Sequence, residues 1–151
     1  MGDDTLYSGT VAAAIEGYTI GIPSIAVSMA KHKPKHFETA ALVTLDLIDK
    51  LNSQSPKETP LLNVNVPDLP YNDLRGLLIT RLGKRKQADP IIKNLTPKGH
   101  NVYWIGPAGD PNDCGEGTDF FAVKENYVSI SPIQIDLTNH KLIEHMSEWL
   151  K

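Results

Sequence analysis

The chain has 151 residues, of which 40% are hydrophobic, so one domain with an ordinary buried core is expected. A formal net charge of −3 gives no overall field for nucleic acid or an anionic membrane, so we expect no stable partner of either kind. Because Cys114 is the only cysteine, and no stretch resembles a membrane span or a signal peptide, we expect a cytoplasmic protein.

The first part of the chain alternates between helices and strands. The spacing of its apolar residues predicts helices over 8–20 and 36–51 and strands over 24–29 and 61–66. This order is typical of the βαβ units of α/β proteins. The buried face of the second helix is predicted from apolar residues at helical spacing, namely Phe37, Ala40, Ala41, Leu45 and Ile48.

The strands predicted in the second part of the chain are irregular. They cover residues 76–81, 102–105 and 127–135, and Pro132 indicates that the last of them is bent or lies at a sheet edge.

Long loops and one helix complete the second part. Loops are predicted over 84–99 and 106–117, and loops of this length are usually functional or contact a partner. An amphipathic helix is predicted from Thr138, as its N-cap, to Leu150.

The segment from Tyr7 to Val11 is the strongest local signal for chemistry. Ser8 caps the first helix, Gly9 removes side-chain bulk and Thr10 offers a second hydroxyl. The free N–H groups of the first turn, together with the helix dipole, suit an anion such as phosphate. The alternative is a plain N-cap, which is how most such serines are used.

Other polar groups have a functional and a structural interpretation. Asp3-Asp4 could bind a hard divalent cation, although acidic residues at a mobile chain start are also explained by the dipole of the following helix. The basic run of Arg81, Lys84, Arg85 and Lys86 could hold a phosphate or be a solvated loop. The oxygen-rich loop over 113–119 fits a substrate-facing loop and a plain surface loop equally well.

Several motifs in one order resemble the SurE (survival protein E) family. The resemblance covers essentially the whole chain, and its order makes it specific. The motifs lie at residues 2–17, 21–28, 63–67, 80–85, 103–107, 117–120, 127–132 and 136–138.

This resemblance implies an α/β fold, as part of a Rossmann-like three-layer α/β/α arrangement. Residues 1–70 would complete the α/β core, and residues 71–151 would supply a β-hairpin, loops and a closing helix that serve homodimer or homotetramer formation. The implied activity is that of a 5′/3′-nucleotidase, a hydrolase of nucleoside monophosphates assisted by a divalent metal, Mg or Mn.

The resemblance also assigns site residues. Ser8, Gly9 and Thr10 would bind the substrate phosphate. A second, weaker assignment concerns the loop that would border the pocket, with Gly117, Thr118 and Asp119.

The metal-binding part of the family pattern has no counterpart in this sequence. Members of the family carry an Asn-Asp-Asp-Gly motif at the end of their first strand, and a serine and an asparagine complete the site. Asp3 and Asp4 align instead with the linker before the phosphate motif. We therefore expect a C-terminal portion of such an enzyme, without metal ligands or catalytic residues and inactive alone. The alternative is a non-catalytic oligomerisation or binding module.

Overall fold

The computed structural model describes residues 1–54, 56–87, 89–106 and 109–151. Two 3₁₀ helices cover Gly2–Tyr7 and Tyr71–Asp73. The first part of the chain contains α1 (Gly9–Thr19), β1 (Ser24–Met29), α2 (Phe37–Ser53) and β2 (Leu61–Val66). The second part contains β3 (Leu77–Ile79), β4 (Lys84–Arg85), β5 (Ile92–Leu95), β6 (Asn101–Trp104), β7 (Pro111–Asp113), α3 (Asp119–Lys124), β8 (Val128–Pro132) and α4 (His140–Trp149).

A four-stranded sheet in the order β1-β2-β8-β3 forms the centre of the molecule. β1 and β2 run parallel and are joined through α2, whereas β8 runs antiparallel to β2. β3 pairs with β8 in parallel. Two smaller pairs, β4 with β7 and β5 with β6, lie outside this sheet.

The two faces of the sheet are covered by different helices. On one face, Val43 and Leu47 of α2 pack against Val64, Val66 and Ile130. On the other, Val11 and Ala14 of α1 pack against Ala26 and Leu61. The prediction of an α/β fold is therefore confirmed, with helices on both sides of a sheet that contains parallel strands.

The face of the sheet that carries α1 is unusually polar. Asn63 and Asn65 of β2 are buried there, because alternate residues of a strand point to the same side and Ala26 is the partner of Asn63. Further along the same face, the hydroxyl oxygens of Ser129 and Ser131 both lie 2.8 Å from Thr80 Oγ1. Polar groups thus replace part of the core on this side.

The predicted buried face of α2 is wrong except at Ala40, which packs against the core. Phe37 is 61% exposed and Leu45 is 58% exposed, whereas Thr39, Val43 and Leu47 point into the core. The apolar residues of α2 lie on several sides of the helix, so more than one set of them has helical spacing. The set that is buried is the one that contacts β2 and β8.

Of the two alternatives predicted for the strand with Pro132, the edge position is wrong and the bend stays a prediction. β8 lies between β2 and β3, and Pro132 is its last residue. The pairing of β8 with β2 needs no N–H from Pro132, because the next donor, Ile133 N, bonds to Leu61 O at 3.0 Å.

Other differences concern local elements. The sequence did not predict α3 or the 3₁₀ helix at Gly2–Tyr7, and α4 begins after Asn139 rather than Thr138. The motif at 103–107 ends in Pro107, which lies outside the described residues.

Candidate functional site

A polar cavity of about 250 Å³ lies at the carboxyl ends of β1 and β2. Ligands of open α/β sheets bind at this end of the strands, where the loops after parallel strands meet the start of a helix. The cavity is lined by Met1, Thr5, Ser8, Val11, Ser28, Met29, Ala30, Lys31, His32, Asn63 and Asn65.

The N-terminus of α1 forms one wall of this cavity. Ser8 is the N-cap, as predicted, and its Oγ accepts a hydrogen bond from Val11 N at 3.2 Å. The Ser8 hydroxyl retains its own proton for donation to a ligand. Gly9 and Thr10 follow in the first turn but are exposed and do not line the cavity. Of the three predicted phosphate-binding residues, only Ser8 therefore reaches the wall.

Three buried polar atoms in the wall lack a hydrogen-bond partner within the described parts of the chain, namely Thr5 Oγ1, Asn63 Nδ2 and Asn65 Nδ2. Buried polar groups are almost always paired, because an unpaired one has lost its hydration without compensation. Their grouping around one cavity indicates a place for a ligand or for ordered water.

Lys31 places a positive charge at the rim of the cavity. It is exposed there beside His32, in the loop that follows β1. Asp68 binds this loop through backbone and side-chain contacts. It accepts hydrogen bonds from Lys35 N at 2.8 Å and His36 N at 2.9 Å, and its Oδ2 lies 3.1 Å from Lys31 Nζ. The bonds from Lys35 N and His36 N, then those from the Lys31 and His36 side chains, hold the pKa of Asp68 well below its usual range.

The acidic pair near the start of the chain has a structural role. Asp3 accepts a hydrogen bond from Arg85 N at 3.1 Å, and Asp4 forms an ion pair with the Arg85 side chain. The expected mobile start is therefore wrong, since these contacts fix the first residues against β4. Arg81 of the same basic run forms a two-bond pair with Asp113, which raises the pKa of Arg81 and lowers that of Asp113.

The predicted pocket-bordering residues lie elsewhere. Thr118 and Asp119 are fully buried, and Gly117 is exposed with φ of +85°. Thr118 caps α3 through Phe121 N. None of the three predicted residues lines the cavity at Ser8.

Asp119 instead joins separate parts of the chain. Its carboxylate accepts hydrogen bonds from Gly2 N at 2.5 Å, Gly83 N at 2.9 Å and Phe120 N at 2.9 Å. Gly2 is required in this node, because a Cβ there would lie 2.7 Å from the Phe120 ring and φ is +61°. Asp119 therefore fixes the 3₁₀ helix that carries Thr5 to the cavity.

Asn63 and Asn65 are cavity residues that sequence reasoning did not assign to the site. The available signal was the strand Leu61–Val66 itself, in which two amides alternate with valines inside an otherwise apolar run. A period of two places both amides on one face. Which face that was depended on the pairing of β2 with β1, which is a non-local fact.

The described side chains do not fit a divalent metal. No group of three His, Cys, Asp or Glu residues within the described ranges lies close enough together to hold one. Among the helices of those same ranges, none combines the length and apolar character needed to cross a bilayer.

Comparison with known proteins gives consistent matches. The sequence model of the family described as Survival protein SurE matches residues 1–89. Proteins named 5′-nucleotidase SurE from Methylobacillus flagellatus and Laribacter hongkongensis are 53% and 51% identical over 150 residues, covering 99% of this chain and 61% of each relative. The crystal structure of the SurE protein from Aquifex aeolicus matches with a TM-score of 0.83 at 39% identity, covering 100% of this chain and 61% of that one. The chain thus spans about 61% of the length of these relatives.

Proposed function

Since this chain belongs to the SurE family, we propose that it supplies the phosphate-binding part of a nucleotidase that hydrolyses nucleoside monophosphates. The observation that carries the proposal is the N-terminus of α1, capped by Ser8, in the wall of a polar cavity at the carboxyl ends of two parallel strands. Helix N-termini bind phosphate through free N–H groups and the helix dipole.

The chain's own residues bind and orient the substrate in this proposal. The Ser8 hydroxyl donates to one phosphate oxygen in the cavity. A phosphate that extends past Ser8 to the start of α1 would also meet the N–H groups of Gly9 and Thr10, which have no intrahelical acceptor. Lys31 adds positive charge at the rim. Asp119 supports the site indirectly, because it fixes the segment that carries Thr5, and Gly117 and Thr118 directly precede it at the start of α3.

An apolar groove of about 290 Å³ on the other side of Ser8 favours a nucleoside as the remainder of the substrate. It lies between α1 and residues 133–137, and its walls include Ile15, Leu82 and Ile133. Thr5, Ser8 and Val11 belong to both the groove and the cavity. A phosphate in one and a flat, largely apolar base in the other would use both.

We propose that catalysis uses groups beyond the described residues. A divalent metal, Mg or Mn, would polarise the phosphoryl group when bound, but the donor set here does not fit it. We assign to this chain phosphate binding and orientation, and we expect the 151-residue chain alone to hydrolyse no nucleoside monophosphate. Sustained hydrolysis by the purified chain with Mg²⁺ or Mn²⁺ would overturn this assignment.

Phosphate titration of the ¹⁵N-labelled chain tests the binding role. Inorganic phosphate should shift the amide resonances of Gly9, Thr10 and Val11, and Ser8→Ala should weaken binding by about tenfold, as expected for one lost hydrogen bond to a charged group. Thr19→Ala, at the opposite end of α1, is the matched control. Binding that is undetectable, or unchanged in Ser8→Ala, would contradict the proposal.

A non-catalytic oligomerisation module is the second candidate function, and exposed apolar side chains favour it. No residue of α4 is buried, even on its apolar side. There Trp149 is 72% exposed and Leu142 is 44% exposed. On the β5–β6 hairpin, Ile92 and Trp104 are cross-strand partners and are 62% and 64% exposed. Exposed apolar surface on two separate elements marks an interaction site. We propose a second copy of this chain as the occupant, in a dimer or tetramer.

Sedimentation velocity of the purified chain tests the oligomer. The wild-type chain should sediment as a dimer or larger species, and Leu142→Asp should shift it toward monomer, because the charge lies on the apolar side of α4. Glu144→Gln, on an exposed position of the same helix, is the control. A wild-type monomer at all accessible concentrations would exclude this function.

The exposed thiol of Cys114 is consistent with the cytoplasmic location that we propose.

A further inference from the structure

Two adjacent amides of β2 are buried at the cavity without hydrogen-bond partners. Asn63 is 3% exposed and Asn65 is 4% exposed, and both line the cavity. Neither Nδ2 atom has an acceptor among residues 1–54, 56–87, 89–106 and 109–151. The two side chains lie on the same face of one strand, beside the wall formed by Ser8.

Three other polar side chains of this face, Thr80, Ser129 and Ser131, bond to one another. Ser129 and Ser131, the register partners of Asn65 and Asn63 on β8, share hydrogen bonds with Thr80 at 2.8 Å. Among the described residues, the unpaired Nδ2 donors of Asn63 and Asn65 belong to side chains that line the cavity. A fully buried N–H without an acceptor lowers the stability of the folded chain. A bound acceptor would remove this loss.

We propose that Asn63 and Asn65 form a side-chain anion subsite, in which their amide N–H groups donate to oxygens of the phosphate bound at the N-terminus of α1. The inference rests on the proposed phosphate-binding function and extends it to a second wall of the cavity. An amide NH₂ carries two donors and no charge, so it binds an oxyanion by hydrogen bonds. Donors on two walls would enclose the phosphate and exclude water from it.

The cavity geometry favours an anion over a cation at this place. The groups around it are the N-terminus of α1, the rim residues Lys31 and His32, and the two amide donors. The nearby carboxylate, Asp68, is occupied by two backbone N–H groups and Lys31. A cation would instead require the amide oxygens, and the test below includes this outcome.

The direct measurement follows the side-chain NH₂ resonances of Asn63 and Asn65 in the ¹⁵N-labelled 151-residue chain. Inorganic phosphate should shift both pairs with the same dissociation constant as the Gly9 and Thr10 amides. No substitution is needed, so folding of a variant is not at issue. If phosphate leaves both pairs unmoved, or only Mg²⁺ alone shifts them, the inference is overturned.

Variants provide the second measurement. Asn63→Leu and Asn65→Leu keep the side-chain shape and remove the donors, and each should weaken phosphate binding by about tenfold in calorimetry. Ser131→Ala, the buried register partner of Asn63, lies outside the cavity wall and should leave binding unchanged. Equal binding by the wild-type chain and both leucine variants would overturn the inference.

The outcomes separate this inference from the proposed function. If the Gly9 and Thr10 amides respond to phosphate but the asparagine side chains do not, phosphate binding at α1 stands and the asparagine subsite is wrong. If the wild-type chain binds no phosphate, both are wrong. If all four groups respond together and the leucine variants lose affinity, both are supported.

Discussion

The two faces of the central sheet are built from the same strands but differ in the polarity of their buried side chains. In β2, Val64 and Val66 point toward α2 and are fully buried among apolar side chains. Asn63 and Asn65, their neighbours in the chain, point the other way and include unpaired donors. One residue of register separates the two environments.

This difference shows how a single strand serves stability and function at once. The apolar face gains free energy from close packing, and each buried valine adds to it. The polar face gives up part of that gain, because its amides are buried without acceptors. The four predictions below test the contrast, beginning with the largest expected effect.

The first prediction places a polar residue on the apolar face. Val64→Asn should lower the free energy of unfolding by about 3 kcal/mol or more, because it buries an amide where no partner is available and disturbs packing. Urea denaturation monitored by circular dichroism measures the change. Ile79→Asn is the matched control on the same face, since Ile79 is 72% exposed and should change little. A similar loss in both variants would contradict the contrast.

The second prediction concerns the carboxylate that fixes the segment around Thr5. Asp119→Asn should lower the free energy of unfolding by about 2 kcal/mol, because an amide NH₂ would face a backbone N–H group where a carboxylate oxygen now accepts it. The amide oxygen of the variant can still accept from Gly83 N and Phe120 N, so the lost bond is that of Gly2 N, whose hydrogen exchange should become faster. Asp110→Asn, at an exposed position, serves as the control. Unchanged exchange at Gly2 would show that the carboxylate does not hold this segment.

The third prediction reverses the usual effect of a core substitution. Without phosphate, Asn63→Leu or Asn65→Leu should raise the free energy of unfolding by about 1 kcal/mol, since an unsatisfied amide is replaced by an apolar group of similar shape. Urea denaturation in phosphate-free buffer measures this gain. A loss of stability in both variants would indicate that the amides are already satisfied in the free protein.

The fourth prediction concerns pH and the rim of the polar cavity. The folded state lowers the pKa of Asp68 below its ordinary value of 3.8. Its contribution to stability is therefore fully present above that value, and it is lost as the pH falls from there through the lowered pKa of the folded state. The thermal midpoint of the wild-type chain should exceed that of Asp68→Asn at pH 6, and the difference should shrink toward pH 3. Asp49→Asn, on the exposed side of α2, should show no such convergence.

Local pattern predicted most of the first half of the fold. α1, β1, α2 and β2 agree with the predicted ranges within about two residues, because Ser8, Pro23 and Pro67 mark boundaries that depend only on neighbours in the chain. α3 was missed although Thr118 is a recognisable N-cap. Six residues give too short an apolar repeat for periodicity to detect.

Non-local pairing limited the prediction of the site. Ser8 was found because an N-cap is a local feature, whereas the role of Asn63 depends on which strand lies beside it. The resemblance to the family included residues 63–67 as a motif, but it gave a role only to the phosphate motif and none to the two amides. The assignments of Gly9 and Thr10 as phosphate ligands, and of Gly117, Thr118 and Asp119 as pocket residues, stay predictions.

The position of β8 between β2 and β3 has a consequence for synthesis of the chain on the ribosome. β1 and β2 are complete once residue 66 has emerged, but the strand that covers the free edge of β2 ends at residue 132. About seven seconds separate the two events at roughly ten residues per second. During that interval the backbone N–H and C=O groups along one edge of β2 are open to other chains. Chaperone dependence of folding should therefore be greatest before Val128–Pro132 is made.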